Sequence, residues 1–305
     1  SKVGVRTIKG PKDLREIPGW FGHEAVARDY GAWDIEICAE INNVPRLSRA
    51  EIVSRARHYR DAGADVIDLG LTPGRPYSEL AVVVRELVDM GMRVSVDSFD
   101  PDEIRAAVEA GASLVLSVNG SNKDVLSSLA GSSVRVVAIP DFGAGLETLD
   151  PTIAALEKAN VQYFIDPVIE PIGFGFAASI ERYAEAHRRW PDVPLFMGIG
   201  NLTELTAADT TGVNAVLIAI AQELGVRAVL TTEVIPWARG CVREIDIARR
   251  LMHYAVTKRS LPKHVDDRLV TVKDPKILAY TEAELRTLQS SIKDANFRIF
   301  TDRDT

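Results

Sequence analysis

The sequence predicts a (β/α)8 TIM barrel with an N-terminal extension and a C-terminal helical tail. Eight units of a strand followed by a helix can be counted between Asp34 and Val256. The strands are apolar throughout, as expected when protein covers both of their faces. An open doubly wound sheet is the alternative, but eight units without a glycine-rich dinucleotide turn after the first strand favour the closed barrel.

Each unit is recognised by an apolar run and a helix-capping or helix-breaking residue. Ser48 followed by Glu51 predicts a capping box, and Asp100-Pro101 predicts the start of another helix. The predicted strands are residues 35–41, 65–69, 93–97, 114–118, 134–139, 162–165, 195–199 and 227–232. The predicted helices are residues 48–61, 80–90, 101–110, 123–130, 151–159, 178–189, 212–224 and 239–256.

The regular pattern covers only part of the chain, so we expect three segments. Residues 1–33 are irregular and rich in Pro, Gly and aromatic residues, which predicts an extension packed against a domain. Residues 34–257 form the predicted barrel. Residues 258–305, with a helix expected over 282–293, form a predicted tail packed on the barrel.

The composition excludes several classes of protein. The chain has 305 residues, 46% hydrophobic, and a net charge of −7 without a block of like charges, which argues against nucleic-acid binding. No apolar run is long enough to predict a membrane span. Cys38 and Cys241 lie far apart without a CxxC pattern, so a disulfide framework or structural zinc site is not expected, and a reducing cytoplasm is the expected compartment.

Two carboxylates stand at the ends of predicted strands. Asp97 ends the third strand, and Asp166 follows the sixth. Each could simply cap the next turn or helix. Because ligands bind at the carboxyl ends of barrel strands, we expect instead that the two share a pocket. A buried carboxylate there can accept paired N–H bonds from a guanidine-like ring edge, as in pterin or guanine.

Other polar residues occupy equivalent places. Asn119 and Asn201 end the fourth and seventh strands, where each amide could recognise an amide-like ring edge or form an Asx turn. Arg75 lies in a Pro/Gly loop after the second strand and is either an exposed loop residue or a phosphate ligand. The first strand closes with Glu40, Asn42 and Asn43.

These motifs resemble those of the pterin-binding barrels, the dihydropteroate synthases and the methyltetrahydrofolate–corrinoid methyltransferases. The resemblance rests on residues 94–98, Asp166-Pro167 and the Gly-Phe-Gly-Phe sequence at 173–176. With the tail sequence at 296–300, it is most similar to the dihydropteroate synthase-related proteins of methanogens and methylotrophs. Those organisms make tetrahydromethanopterin, so the resemblance implies a role in that pathway.

The resemblance implies roles for individual residues. Asp97, Asn119 and Asp166 would hold the pterin ring, and Asn201 would face its N5 side as in the methyltransferases. Asn43 and Arg75 would bind diphosphate, with Asn43 also near Mg²⁺. Asp97 and Asn201 are the predicted catalytic residues. Two departures stand out: Gly200-Asn201-Leu202 replaces the Ser-Arg-Lys of the synthases, and the last strand ends without their Arg and His.

Three hypotheses follow from these observations. The first is a transferase that joins a dihydropterin-6-methyl diphosphate to an arylamine, with Mg²⁺ as cofactor. The second is methyl transfer from a reduced pterin to a corrinoid protein. The third is a pterin-binding protein without turnover. We expect a homodimer without a nucleic-acid or membrane partner.

Overall fold

Eight parallel strands close into a barrel in the computed structural model, which describes residues 30–72, 74–270 and 281–293. Each strand pairs with the next along the chain, and the last pairs with the first. The predicted TIM barrel is therefore confirmed. The strands are β1 Glu36–Ile41, β2 Val66–Gly70, β3 Arg93–Asp97, β4 Leu114–Val118, β5 Arg135–Ala138, β6 Gln162–Ile165, β7 Leu195–Gly198 and β8 Val226–Thr231.

Helices follow every strand and cover the barrel. The α-helices are α1 Arg49–Ala62, α2 Leu80–Asp89, α3 Pro101–Glu109, α4 Leu126–Leu129, α5 Leu149–Ala159, α6 Phe176–Arg189, α7 Gly200–Thr203, α8 Thr210–Glu223, α9 Cys241–Lys258 and α10 Glu282–Ser291. Short 3-10 helices occupy Val44–Arg46, Lys123–Val125, Leu146–Thr148 and Pro236–Ala238. None of these helices, within the described ranges, is long and apolar enough to cross a membrane.

The caps predicted from sequence are present. The Ser48 side chain accepts a hydrogen bond from the Glu51 amide, and the Glu51 carboxylate accepts one from the Ser48 amide at 2.8 Å. Asp100 caps α3, whose first residue is Pro101. These local contacts satisfy amides that have no partner within the helix, so they fix where α1 and α3 begin.

One α-helix of the barrel was not predicted. The sequence analysis extended β7 to residue 199, but Ile199 already has helical backbone angles (φ −73°, ψ −14°) and leads into α7. Asn201 therefore lies on a one-turn helix and does not end the strand, which corrects its predicted position. A helix of four residues carries too little hydrophobic periodicity to be recognised in a sequence.

Side chains that alternate along the strands fill the barrel interior. A cluster of strand residues packs there, separately from the layer between strands and helices: Cys38, Val66, Leu114, Leu116, Val137, Phe164, Phe196 and Ala228. At the N-terminal end of the strands, Glu36 pairs with Arg93 at 2.9 Å and Arg135 at 2.8 Å. The apolar cluster and this ion network close the lower part of the barrel.

The predicted extension and tail are only partly visible. Residues 1–29, 271–280 and 294–305 lie outside the described residues. The hydroxyl group of Tyr30 donates to Asp266 at 2.6 Å, so residue 30 contacts the segment after α9. α10 has no buried residue. The domain boundaries at 33/34 and 257/258 remain predictions.

Candidate functional site

Two of the cavities in the described part of the chain lie over the C-terminal ends of the barrel strands. The larger, of about 450 Å³, extends from the end of β1 across the loops after β4 to β8. The smaller, of about 360 Å³, lies between the loops after β2 and β3. They approach each other at Asp97, which lines the smaller cavity and lies beside Ser117 of the larger one. The larger volume is in the range typical of small-molecule sites.

Asp166 lines the larger cavity and is held firmly by its surroundings. Its Oδ1 atom accepts hydrogen bonds from the Tyr183 hydroxyl group and, at 2.8 Å, from the Val168 amide. Burial raises the pKa of Asp166 to about 6, although Tyr183 and the amides of Val168 and Gly198 counteract the rise. The fixed carboxylate keeps acceptor capacity on Oδ2, so it can receive a hydrogen bond from a ligand.

Asp97 lines the smaller cavity, so the two carboxylates face adjoining cavities and not the single pocket expected from sequence. The Oδ1 atom of Asp97 is buried and has no hydrogen-bond partner among the described residues. Burial raises the pKa of Asp97, and the neighbouring Ser117 partly opposes this rise. Both carboxylates nevertheless lie at one end of the barrel, as predicted.

The two asparagines differ. Asn201 lines the larger cavity, and its Nδ2 donates to the carbonyl of Ile169 at 2.9 Å, which leaves its Oδ1 available. Asn119 is 1% exposed, and its Oδ1 accepts from the amide and hydroxyl of Ser121 at 2.9 and 2.7 Å. Asn119 thus forms the Asx turn considered from sequence, and neither cavity includes it in its lining.

The predicted phosphate ligands are also separated. Arg75 lines the smaller cavity and forms no ion pair with the described part of the chain. Asn43 is exposed, has a left-handed backbone (φ 55°) and lines neither cavity. Its neighbour Asn42 is directed to the site instead, because its Oδ1 accepts a hydrogen bond from the Thr232 hydroxyl at 2.5 Å.

The described residues do not assemble a metal site. No group of three or more His, Cys, Asp or Glu side chains within the described ranges could hold a metal ion. The exposed amide of Asn43 alone does not provide the carboxylates that Mg²⁺ prefers in proteins. The described residues around Asn43 therefore do not provide a ligand set that fits the predicted Mg²⁺.

Buried acceptors without partners are concentrated at this end of the barrel. Most buried polar atoms in proteins have a hydrogen-bond partner, so exceptions point to strain or a ligand. Four of the eight such atoms in the described chain lie here: Asp68 Oδ2, Thr72 Oγ1, Asp97 Oδ1 and Thr231 Oγ1. The site therefore has capacity for further hydrogen bonds.

The larger cavity is strongly acidic. Arg182 is its one cation among the described residues, and this guanidinium already lies 3.6 Å from Glu170. Its carboxylates are Glu40, Asp141, Asp166, Glu170 and Glu204. Such a lining repels an anionic group and suits a flat heterocycle rich in N–H donors.

Sequence reasoning missed several of these groups. Asp68 lies inside the apolar run of β2, is fully buried and accepts from the Ser95 hydroxyl at 2.6 Å. Burial, followed by the charges of Glu40 and Asp97, raises its pKa. A carboxylate within an apolar strand was the available signal. Tyr183 on α6 and Glu204 after α7 gave no comparable signal, because only folding brings Tyr183 to Asp166 and Glu204 to the cavity.

Comparison with known families agrees with this geometry. Residues 42–140 match the family described as pterin binding enzyme. That segment is therefore similar to the pterin-binding enzymes. The matched segment contains Arg75, Asp97 and Asn119, whereas Glu40, Asp166 and Asn201 lie outside it. The resemblance inferred from sequence is thus confirmed.

Two relatives extend the comparison. An uncharacterised protein of Methanocaldococcus jannaschii is 31% identical over 259 residues, which is 79% of this chain and 49% of the relative. A dihydropteroate synthase type-3 of Escherichia coli is 25% identical over 178 residues, which is 48% of this chain and 66% of the relative. The chain therefore spans about half of the first relative and about two thirds of the second.

Solved dihydropteroate synthases share the barrel fold of this chain. The Yersinia pestis enzyme, solved with a pterine-sulfa conjugate, is 18% identical with a TM-score of 0.59, over 74% of this chain and 94% of that one. The Coxiella burnetii enzyme, in complex with pteroic acid, is 17% identical with the same TM-score and coverage. At such identities the likeness establishes the barrel fold.

Proposed function

We propose that the chain binds a reduced pterin at the two adjoining cavities and acts as a transferase of the dihydropteroate synthase type. The acceptor-rich, acidic larger cavity is the observation that carries this proposal. A 2-amino-4-oxo pteridine presents several N–H donors along one edge, and carboxylates such as Asp166 accept such bonds strongly. The family match over 42–140 supports the same class of ligand.

In this proposal the smaller cavity receives the diphosphate. Arg75 lies there with no ion pair to a described residue, and the buried Thr72 hydroxyl has no partner there. The nearby carboxylate of Glu103 is already engaged, since it accepts from the Ser98 hydroxyl at 2.6 Å and the Tyr77 amide at 3.1 Å. The Arg75 guanidinium can therefore form two parallel hydrogen bonds to a phosphate group at this position.

The reaction would be a displacement at the exocyclic methylene carbon of the pterin. The bond from that carbon to the diphosphate oxygen breaks, a bond to the arylamine nitrogen forms, and that nitrogen loses a proton. Asp166 and Asp97 would hold the ring so that the methylene group points along the boundary between the cavities. Positioning the two reactants would supply much of the rate enhancement. The product would serve tetrahydromethanopterin biosynthesis.

A second candidate is methyl transfer from N5 of a reduced pterin to a corrinoid protein. It is favoured by the absence of a Lys or Arg at the described ends of β7 and β8, where a departing diphosphate would need a cation. Asn201 supports it too, because its Oδ1 remains available beside the cavity. In this reaction the methyl group would pass from N5 to the cobalt(I) of the partner corrinoid, the electron pair of the broken bond would stay on N5, and N5 would take up a proton.

Titration calorimetry tests the first candidate. We expect 6-hydroxymethyl-7,8-dihydropterin to bind, and its diphosphate ester to bind at least tenfold more tightly, with Mg²⁺ present and absent as separate arms. The Arg75→Met variant should lose the gain from diphosphate only. Arg57→Met is the matched control, because Arg57 is an exposed arginine of α1 outside both cavities.

The outcomes separate the candidates. If the ester gains nothing over the free pterin, condensation is excluded, and methyl transfer to a supplied corrinoid protein becomes the assay. Binding without turnover in both assays would leave the non-catalytic pterin-binding protein. Failure of every reduced pterin to bind would refute the whole proposal.

A further inference from the structure

Three strands bring Glu40, Gly70 and Asp97 side by side at the top of the barrel. Glu40 pairs in register with Asp68 of β2, and Gly70, two residues further along β2, pairs with Asp97 of β3. Because side chains alternate along a strand, all of these residues face the barrel interior. The side chain of Glu40 thus reaches the same level as Gly70 and Asp97.

Gly70 gives Glu40 the space to lie across β2. A Cβ atom placed on Gly70 would come within 2.3 Å of Glu40 Oε1 and 3.2 Å of its carboxyl carbon. A side chain at position 70 would therefore displace the carboxyl group. Since Gly70 is the register neighbour of Asp97, this space directs Glu40 towards Asp97.

The groups that face Glu40 leave its charge uncompensated. They are Asp68 on β2, Asp97 on β3 and Glu204 after α7. Arg182, the cation that lines the same cavity, does not neutralise them, because it already pairs with Glu170 and donates to the Val168 carbonyl at 2.6 Å. No described residue donates a hydrogen bond to the Glu40 carboxyl group. Burial, then the charges of Asp97 and Glu204, raises the pKa of Glu40 to about 7.

We propose that Glu40 is a specificity-determining residue that, in its protonated form, donates a hydrogen bond to an acceptor atom of the bound heterocycle. The other described groups of the site, Asp97 and Asp166, accept bonds from ring N–H groups. A ligand with N–H donors and a ring nitrogen or carbonyl acceptor would match all three residues. This inference rests on the proposed function, because it concerns the same cavity.

The proposal has a defined dependence on pH. Ionised Glu40 cannot donate a hydrogen bond and faces the acceptor of the ligand with a negative charge. Affinity should therefore fall by up to tenfold per pH unit as the pH rises above 7. Glutamine has nearly the same shape and always carries an N–H donor, so Glu40→Gln should keep the affinity and lose this dependence.

The experiment is calorimetry of 6-hydroxymethyl-7,8-dihydropterin, free of diphosphate, with the full chain at pH 6, 7, 8 and 9. Two buffers with different ionisation enthalpies at each pH count the protons taken up on binding. For the wild-type chain we expect uptake that approaches one proton above pH 7. Glu40→Gln should show affinity within about threefold of the wild type at pH 6 and much less uptake at pH 8. The titration of the pterin itself occurs with both proteins and cancels in the comparison.

Glu204→Gln is the matched control, since Glu204 lines the same cavity and burial also raises its pKa. This variant should shift the inflection to lower pH, because it removes one charge near Glu40, and should keep the proton uptake. Circular dichroism and thermal unfolding establish that both variants fold. If Glu40→Gln retains the wild-type uptake and inflection, the assignment to Glu40 is overturned while pterin binding stands. If no pterin binds to the wild type at any pH, both proposals fail.

Discussion

Carboxyl groups at the two ends of the barrel have opposite pKa shifts. On β1, Glu36 lies at the lower end and Glu40 at the upper end. Burial alone would raise the pKa of Glu36, but hydrogen bonds from Arg93 and Arg135 lower it overall. At the upper end burial also acts on Glu40, and the neighbouring Asp97 adds repulsion, so its pKa rises to about 7.

The difference distinguishes structural charge from functional charge. At the lower end each carboxylate oxygen of Glu36 meets a guanidinium, and the network closes the barrel. At the upper end Asp68 Oδ2 and Asp97 Oδ1 are buried without partners in the described chain. Uncompensated buried carboxylates destabilise a fold, so their concentration beside a cavity indicates a binding site.

The largest effect is expected from Asp97→Asn. Removing this charged acceptor should weaken binding of a reduced pterin by about 2 kcal/mol, or roughly thirtyfold, because hydrogen bonds to charged groups contribute about 1.5–3 kcal/mol. Calorimetry measures it. Arg93→Met, at the other end of β3, should leave the affinity unchanged and lower the stability. Equal losses of affinity in both variants would contradict the comparison.

Glu36→Gln should lower the free energy of unfolding by about 1–2 kcal/mol, because it leaves two guanidinium groups without their anion. This loss is smaller than for a fully buried ion pair, because the Glu36 side chain is 30% exposed and solvent screens its charge. Urea unfolding at pH 7 measures the change. Pterin affinity should not change, and a variant as stable as the wild type would show that the network does not stabilise the barrel.

Glu40→Gln should have the opposite effect on stability. The raised pKa means that the folded chain binds more protons than the unfolded chain between about pH 4.5 and 7. The wild type therefore loses stability as pH rises through that window, and the loss is complete above it. The variant lacks this loss, so it should be more stable than the wild type by about 1 kcal/mol at pH 8 and by little at pH 4.5.

Urea unfolding at both pH values, without ligand, gives this difference. Glu36→Gln serves as the control at the opposite end of β1, where stability should instead decrease. A Glu40→Gln variant that is less stable at pH 8 than the wild type would contradict the assignment of a raised pKa.

The smallest effect is expected from Gly70→Ala. The added methyl group displaces only the end of the Glu40 side chain, so the free energy of unfolding should change by less than about 0.5–1 kcal/mol. Pterin affinity at pH 6 should fall about threefold, and the pH inflection should move down as Glu40 leaves Asp97. Unchanged affinity and inflection would show that Gly70 does not set the position of the carboxyl group.

Much of the fold could be predicted because its signals are local. The capping box at Ser48, the Asp100-Pro101 start of α3 and the eight apolar strands all depend on residues near one another in sequence. α7 escaped prediction, because one helical turn has no periodic pattern. Among the predicted site residues, the structure places Asp166 and Asn201 at the larger cavity and Arg75 and Asp97 at the smaller one.

The positions of Asn43 and Asn119 relative to the cavities depend on the direction of their side chains, which the sequence does not give. Asn43 was chosen from sequence, but its left-handed backbone turns it to solvent, and Asn42 contacts Thr232. Asn119 has the expected place after β4, yet its side-chain Oδ1 atom accepts hydrogen bonds from Ser121. Whether these residues bind pterin, phosphate or Mg²⁺ stays a prediction.

The sequence by itself determined that this chain is a β/α barrel with carboxylates at its strand ends and a pterin-binding resemblance. Only the tertiary structure decided which of those carboxylates are compensated. Glu36 and Arg135 are 99 positions apart, and Glu40 and Asp97 are 57 positions apart, so no local pattern relates either pair. Strand register across the closed sheet places cations beside Glu36 and a glycine and an aspartate beside Glu40. The charge state of a buried carboxyl group follows from those neighbours, so it emerges only when the barrel closes.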